Sequence, residues 1–332
     1  MKVGNISQTV WRRSLKNQLD TKVEGMVNSP LYTDIVKAVD LGNGRLYVTA
    51  IGKSFGKSSK SGLYAAISAV TEILVRKGEV KTIDLDLTLP VFTSEAQVKA
   101  LVKEVKKYAE KNEIALTGIK AEVNPSVKRM LCTVTATGFA DKDKWVSSSK
   151  ASAEEDIVLV GAVALEGMAR ILDEKEEELS AHFNKVFTRQ CSEKAELLKD
   201  ASYVKALKDI DITSVMQLTG GGIMAALWNI TEGSGCGLEA DMEKMTIFQE
   251  SVEVLEYYNL NPYEMTSQGS FLIITKNGDE AVRAVEEAGF TASKIGVTVN
   301  GNQKMIAGRD EQRYLDRPSP DELMNWWEKE LS

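Results

Sequence analysis

Hydrophobic and polar positions alternate in two rhythms along this chain, and together they predict an α/β protein. Near the start, Val10, Trp11, Leu15 and Leu19 fall on overlapping turns and predict a short amphipathic helix over 8–19. A strand rich in β-formers follows at 46–51. Leu63, Ala66, Ile67, Val70, Ile73 and Leu74 then recur at helical spacing and predict a helix over 62–76. Residues 83–89 switch to period two: Ile83, Leu85, Leu87 and Leu89 face one side, Asp84, Asp86 and Thr88 the other, and Pro90 ends the strand. Val98, Leu101, Val102, Val105 and Tyr108 line one face of a helix over 95–111, and strands are predicted at 113–122 and 130–137.

A polar stretch at 138–155 has the composition of a connection between domains. Beyond it the pattern predicts a strand at 156–160 and a helix at 164–172. A strongly charged helical region over 174–207 follows, in two or three pieces. Gly220-Gly221-Gly222 opens a helix over 223–232. Further helices are predicted at 247–258 and 279–288, with a strand at 271–275 and a last helix from Pro320 onward. Asn300-Gly301 between 294–299 and 304–307 predicts a β-hairpin. With 332 residues the chain is long enough for two domains, expected at 1–150 and 151–332.

Charge and composition narrow the function. Lys and Arg number 41 against 48 Asp and Glu, a net charge of −7, which argues against a nucleic-acid partner because phosphate binding needs a basic stripe. A single histidine, His182, excludes sites built on several histidines, and on a charged helix it reads as a surface residue without a role. Cys132, Cys191 and Cys236 form no Cys-x-x-Cys pair, so a cysteine zinc site is not expected. Cys236, between Gly235 and Gly237, is the one placed for exposure. Few unpatterned cysteines, no signal-peptide core and no apolar run near the roughly 20 residues that span a bilayer predict a cytoplasmic protein without a membrane partner.

Three segments can carry chemistry. The first is the loop at 52–62, which holds Lys53, Lys57, Ser58 and Lys60 between a strand and a helix. Three residues rather than four separate Gly52 from Gly56, so it is not a Walker A loop. It reads either as an anion-binding loop of lysines and backbone amides or as a solvated basic loop. The second is the pair Asp84 and Asp86, whose carboxylates lie roughly 6–7 Å apart on one strand face. They read either as ligands for magnesium or as a solvent face. The third is Thr219-Gly220-Gly221-Gly222 before a helix, either an anion cradle or a plain tight turn.

Longer runs resemble one family. Residues 218–227, Leu-Thr-Gly-Gly-Gly-Ile-Met-Ala-Ala-Leu, resemble the Asp-Pro-Thr-x-Gly-Gly-Leu segment and its helix in the aminoimidazole ribonucleotide (AIR) synthase superfamily, and 229–238 continue the match. Residues 260–263 and 267–274 resemble its later segments. Residues 156–161 and 165–167 resemble the opening of its second domain, and 122–127 and 1–4 also fit. The likeness is nearest the hydrogenase-maturation (HypE-type) branch. It implies a two-domain α/β fold (α+β in the looser sense) and a homodimer whose N-terminal domains form an intersubunit β-barrel. The strand 83–89 is expected to supply an exposed edge for that pairing.

The resemblance also implies ATP-dependent chemistry with aspartates holding magnesium, and here the positions depart from the pattern. Only Asp34 stands in the first acidic segment. The family's Asn-Asp falls at Glu72-Ile73, its Asp-Pro-Thr aspartate at Gln217, and its Gly-Gly-His-Thr-Glu at 118–122, where Gly118 and Glu122 persist. Lysines stand at 53, 57, 60 and 120, and the chain does not end in the cysteine of the hydrogenase branch. Loss of acids and gain of lysines argue against magnesium. The expected ligand contacts are Lys53, Lys57, Ser58, Lys60, Glu122, Thr219, Gly221 and Gly222, with Asp84, Asp86 and Glu72 the remaining acids for a metal. Three functions stay open. The chain is a diverged relative that binds a nucleotide such as ATP, or another phosphate-bearing small molecule, in the interdomain cleft. Alternatively it is a non-catalytic dimeric binding or regulatory paralogue with a protein partner in a maturation or biosynthetic pathway. The third reading is an active ATP-dependent ligase, dehydratase or kinase of the maturation type.

Overall fold

The computed structural model describes residues 3–19, 23–27, 36–309 and 311–331, so Asp34 lies outside the described residues. The chain opens with helix α1 (Gln8–Ser14), capped by the Ser7 hydroxyl. The first sheet is built from β1 (Lys37–Asp40), β2 (Arg45–Gly56), β3 (Gly78–Leu89), β4 (Ala115–Val123) and β5 (Met130–Asp141), in the order β1-β2-β5-β3-β4. Helix α2 (Ser61–Leu74) joins β2 to β3, and α3 (Glu95–Lys111) joins β3 to its parallel neighbour β4. A capping box of Ser94 and Gln97 starts α3.

The second sheet contains β6 (Asp156–Val160), β7 (Ile212–Gln217), β8 (Gly237–Asp241), β9 (Phe271–Thr275), β10 (Ala292–Val299), β11 (Lys304–Ala307) and β12 (Gln312–Tyr314), in the order β12-β11-β8-β10-β6-β9-β7. Its helices are α4 (Leu165–Phe183), α5 (Lys185–Ala195), α6 (Gly222–Ser234), α7 (Gln249–Tyr257), α8 (Gly278–Glu287) and α9 (Glu322–Leu331). β6 and β9 are apolar at successive positions because both faces of this sheet are covered: Ile157 and Leu159 join one core cluster, Val158 and Val160 another. The larger cluster runs from Leu46 and Val48 of β2 to Leu272 and Ile274 of β9, so the two sheets share one core.

α2 is the element between them. Every residue from Ser61 to Ile73 is buried. A Cβ at Gly52 would lie 2.0 Å from the Ala65 carbonyl oxygen, so glycine in β2 and alanine in α2 let helix and strand approach closely.

Four expectations change. β3 is not an edge: it lies between β5 and β4, and β4, exposed along both faces, takes the edge position. Asp84 and Asp86 of β3 face solvent, on the side of the strand away from the buried Ile83, Leu85, Leu87 and Leu89. The segments 294–299 and 304–307 do not pair as a hairpin. β8 inserts between them, antiparallel to β10 and parallel to β11. Gly237 permits this, since a Cβ there would meet the Gln303 carbonyl oxygen at 2.3 Å. Cys236 is buried at 6% exposure rather than presented to solvent. The helix expected over 8–19 stops at Ser14 and continues as a short 3₁₀ turn, Lys16–Gln18.

The N-terminal segment packs on the second half of the chain. The Asn5 side chain lies against Gly220, and Arg12 pairs with Glu232 at 2.9 Å.

Candidate functional site

The lysine-rich segment is shorter as a loop than its sequence implies. β2 runs on to Gly56, which places Lys53 on the exposed outer face of the sheet opposite Thr133 and leaves 57–60 as the turn into α2. The turn does present backbone amides to an anion, and that anion is part of the protein. The Lys57 and Ser58 amides donate to one oxygen of Glu174, at 2.6 and 3.0 Å. The Lys60 ammonium meets Asp173 at 2.6 Å, and the Tyr64 hydroxyl donates to the other Asp173 oxygen at 2.6 Å. Burial pushes the Asp173 carboxyl above its ordinary range, while Lys60 and Tyr64 pull it back. Burial also works against the Lys60 ammonium, yet Asp173 holds it above its usual value. The two groups are mutually dependent, each favouring the charged form of the other.

Both carboxylates come from α4, as do Glu166 and Arg170. Positions 166, 170, 173 and 174 follow i, i+4, i+7 and i+8, one helical stripe turned toward the first sheet. Arg170 pairs with the fully buried Glu166 at 3.1 Å, donates to the Phe55 carbonyl oxygen at 3.1 Å, and sits 5.2 Å from the Phe55 ring. Trp327 of α9 closes the mouth, its ring 5.4 Å from that of Phe55. The space left among these groups is a cavity of about 10 Å³, room for about one water.

The glycine-rich turn is filled in the same way. The Gly221 amide donates to Asp321 at 2.7 Å, and the Leu323 amide donates to the other oxygen at 2.9 Å. Burial holds the Asp321 carboxyl up at about 7. Gly221 and Gly222 have φ of +92° and +62°, and a Cβ on Gly222 would meet the Tyr263 carbonyl oxygen at 2.5 Å. These glycines serve a left-handed turn and close packing. Thr219 closes the turn, its carbonyl accepting from the Gly222 amide.

The acids named for a metal are dispersed or already paired. Glu72 is buried and bonded to the Arg76 guanidinium at 2.5 Å and to the Gln217 amide at 2.8 Å. Gln217 also donates to the Ser68 carbonyl and accepts from the Gly269 amide. Asp84 accepts from the Thr117 hydroxyl on the outer face of the first sheet, and Asp86 faces Lys120 at 3.7 Å. Glu122 is exposed on β4, beside Asn124. Magnesium wants several free hard oxygens in an octahedron. At Glu72 a guanidinium and an amide already take the carboxylate, so these residues do not fit a magnesium triphosphate. Among the described residues no three acids, histidines or cysteines gather as a metal site. His182 is exposed, its ring tilted against that of Tyr257 with centroids 4.3 Å apart. Burial raises the thiols of Cys132 and Cys191 to about 12, which makes them inert packing residues.

The decisive residues Arg76, Glu166, Arg170, Asp173, Glu174 and Asp321 were not singled out by sequence reasoning. The charged spacing at 166, 170, 173 and 174 was the available signal.

Comparison with known proteins agrees with the architecture. Residues 153–307 match the family model of the AIR synthase related protein, C-terminal domain. A Methanocaldococcus jannaschii protein described as a hydrogenase expression/formation protein is 21% identical over 93% of this chain and 92% of its own. Among solved structures, AaThiL complexed with AMPPCP and TMP superposes with a TM-score of 0.70 at 15% identity, covering 95% of this chain and 98% of that one. HypE in complex with ATP gives 0.67 at 14% identity, with 97% and 98% covered. HypE in the HypE–HypF complex gives 0.64 at 16% identity, with 85% and 93% covered. Two mixed sheets in this order, a C-terminal half that matches the AIR synthase related family model, and relatives along nearly the whole length lead to one conclusion: the chain has an AIR synthase-like fold, and it is similar to HypE-like proteins.

Proposed function

We propose that this chain is a HypE-like binding protein that works as a homodimer and does not carry out magnesium-dependent triphosphate chemistry. One observation carries the reading. At three places where the fold aims donors into the cleft, a carboxylate of the chain accepts them: Glu174 on the Lys57 and Ser58 amides, Asp173 on Lys60, and Asp321 on the Gly221 amide. In the same spirit Arg76 supplies at Glu72 the positive charge that a metal would bring. The cleft is neutralised from within, and its cavity of about 10 Å³ is far below the roughly 300 Å³ at which small-molecule pockets begin. The chain divides near residue 150, acts in the cytoplasm and pairs through the outer face of the first sheet. A partner protein in a maturation or biosynthetic pathway fits the HypE–HypF assembly of a structural neighbour.

A second reading has an observation of its own. Amides and an ammonium that hold carboxylates are oriented for anions, and two neighbours were solved with ATP and with AMPPCP. A nucleotide would then enter by displacing Glu174 and Asp173, with the lysine turn and Thr219 to Gly222 as its contacts.

Thermal unfolding with ATP, with and without magnesium, separates the readings. No shift under either condition is the expected result. A shift that ignores magnesium favours the displaced-carboxylate site, and a shift that requires magnesium overturns the proposal.

A further inference from the structure

A second concavity lies apart from the cleft, at the β11–β12 edge of the second sheet. It has a volume of about 330 Å³ and is lined by Trp228, Asn302, Gln303, Lys304, Tyr314 and Leu315. That volume lies at the lower end of the range for small-ligand pockets, more than thirty times the space left in the cleft. Trp228 comes from α6, Lys304 from β11 and Tyr314 from β12, so regular elements set half of the wall and the connections at Asn302, Gln303 and Leu315 the rest.

The charge in that wall is unusual. Lys304 is only 6% exposed, yet among the described residues its ammonium has one hydrogen-bond partner, Glu232, at the long distance of 3.4 Å. Its other contact is the face of the Trp228 ring, 4.9 Å away. Glu232 itself is shared, since Arg12 holds it at 2.9 Å from the opposite segment. Two cations thus surround one carboxylate, and one positive charge is left over. An ammonium has three donors, and a buried one is costly unless they are used. Apart from Lys304 and Tyr314, the residues lining the pocket carry no titratable side chain, and no acid among them can accept those donors.

We infer that this pocket binds a small aromatic carboxylate, its flat body against Trp228, Tyr314 and Leu315 and its anionic end on the Lys304 ammonium. The Asn302 and Gln303 side chains supply polar contacts at the rim. The single excess charge selects a monoanion over a polyphosphate, because two or more phosphates would bring charges that nothing in the wall meets. Indole and phenol favour a ring over an aliphatic chain.

The test is titration of the full chain with benzoate, read by tryptophan fluorescence and by calorimetry. Saturable binding is expected. Benzamide, isosteric and uncharged, should bind at least about tenfold more weakly, the loss of one charged contact. Lys304→Met keeps the stem and removes the charge, and it should weaken benzoate by a similar factor. Because Lys304 is buried, Tyr314→Ala at the exposed rim serves as a variant that leaves the fold intact, and it should weaken benzoate several-fold. Inorganic phosphate should not compete. Failure of benzoate to saturate, equal binding of benzamide, unchanged affinity in Tyr314→Ala or in a folded Lys304→Met, or competition by phosphate would each overturn the assignment.

Discussion

Glu174 accepts two backbone amides with one oxygen, so its substitution separates structural worth from anion-binding capacity. Glu174→Ala removes two hydrogen bonds to a charged acceptor at a half-exposed turn. It should cost about 1–2 kcal/mol, a fall of a few degrees in Tm. The vacated amides should then accept a free anion. Phosphate is expected to raise the Tm of Glu174→Ala more than that of the parent chain, and equal responses would show that the turn has no anion preference. Asp321 makes a second prediction, this time with pH. Its folded pKa of about 7 stands above the unfolded value near 3.9, so the folded state holds the proton more tightly. The stability this gives is fully present below about pH 4 and is lost as pH rises through 7. The urea midpoint should fall between pH 5 and pH 8, and the fall should shrink in Asp321→Asn, which cannot ionise. The Asp173 carboxyl, also raised by burial, contributes a slope of the same sign to both proteins, so the difference between them isolates Asp321.

At the level of elements, α4 ties the two halves together at the mouth of the cleft. Its stripe of Glu166, Arg170, Asp173 and Glu174 makes the polar contacts to Phe55, Lys57, Ser58, Lys60 and Tyr64. Arg170→Met leaves the buried Glu166 carboxylate without its guanidinium and should cost about 3–5 kcal/mol. Adding Glu166→Gln should recover much of that loss. A double-mutant cycle read by urea unfolding measures the coupling, and additive losses would mean that the pair does not act as a unit. The helix was legible in the sequence while its role was not. Apolar spacing marked Ala164 to Leu172, but beyond it the density of charge resembled a solvated face. A carboxylate's partner more than a hundred residues away leaves no periodic trace. The same applies to Asp321, which caps Gly221 from the far end of the chain. Short strands such as β8, with glycine and acids among its five residues, carry too little alternation to be seen, and that is why β10 and β11 read as a hairpin.

For the molecule as a whole, the alternation of β3 and the helical spacing of α2 and α3 made the first α/β unit legible, while strand order depended on pairings that no local pattern encodes. Beyond Phe55, which Trp327 and Arg170 cover, that order leaves the outer face of the first sheet uncovered among the described residues. Facing positions run in rows: Tyr47 with Phe139, Thr49 with Thr137, Ile51 with Thr135 and Asp84, and Lys53 with Thr133 and Asp86. Tyr47, Ile51 and Leu131 are each 40% exposed or more, amid threonines and charges of both signs. A surface that mixes apolar, hydroxyl and oppositely charged positions can be complementary to itself about a twofold axis, which the proposed homodimer requires. Thr135 stands in the middle strand of this sheet, so Thr135→Lys would bring like charge toward like across a twofold contact, at a cost of several kcal/mol to association. Its outward position spares the core beneath, so the unfolding midpoint of the separated chain should barely change. Sedimentation should show the parent chain as a dimer and Thr135→Lys as a monomer. A parent chain that sediments as a monomer removes the dimer from the proposed function, and a Thr135→Lys dimer moves the contact to another face.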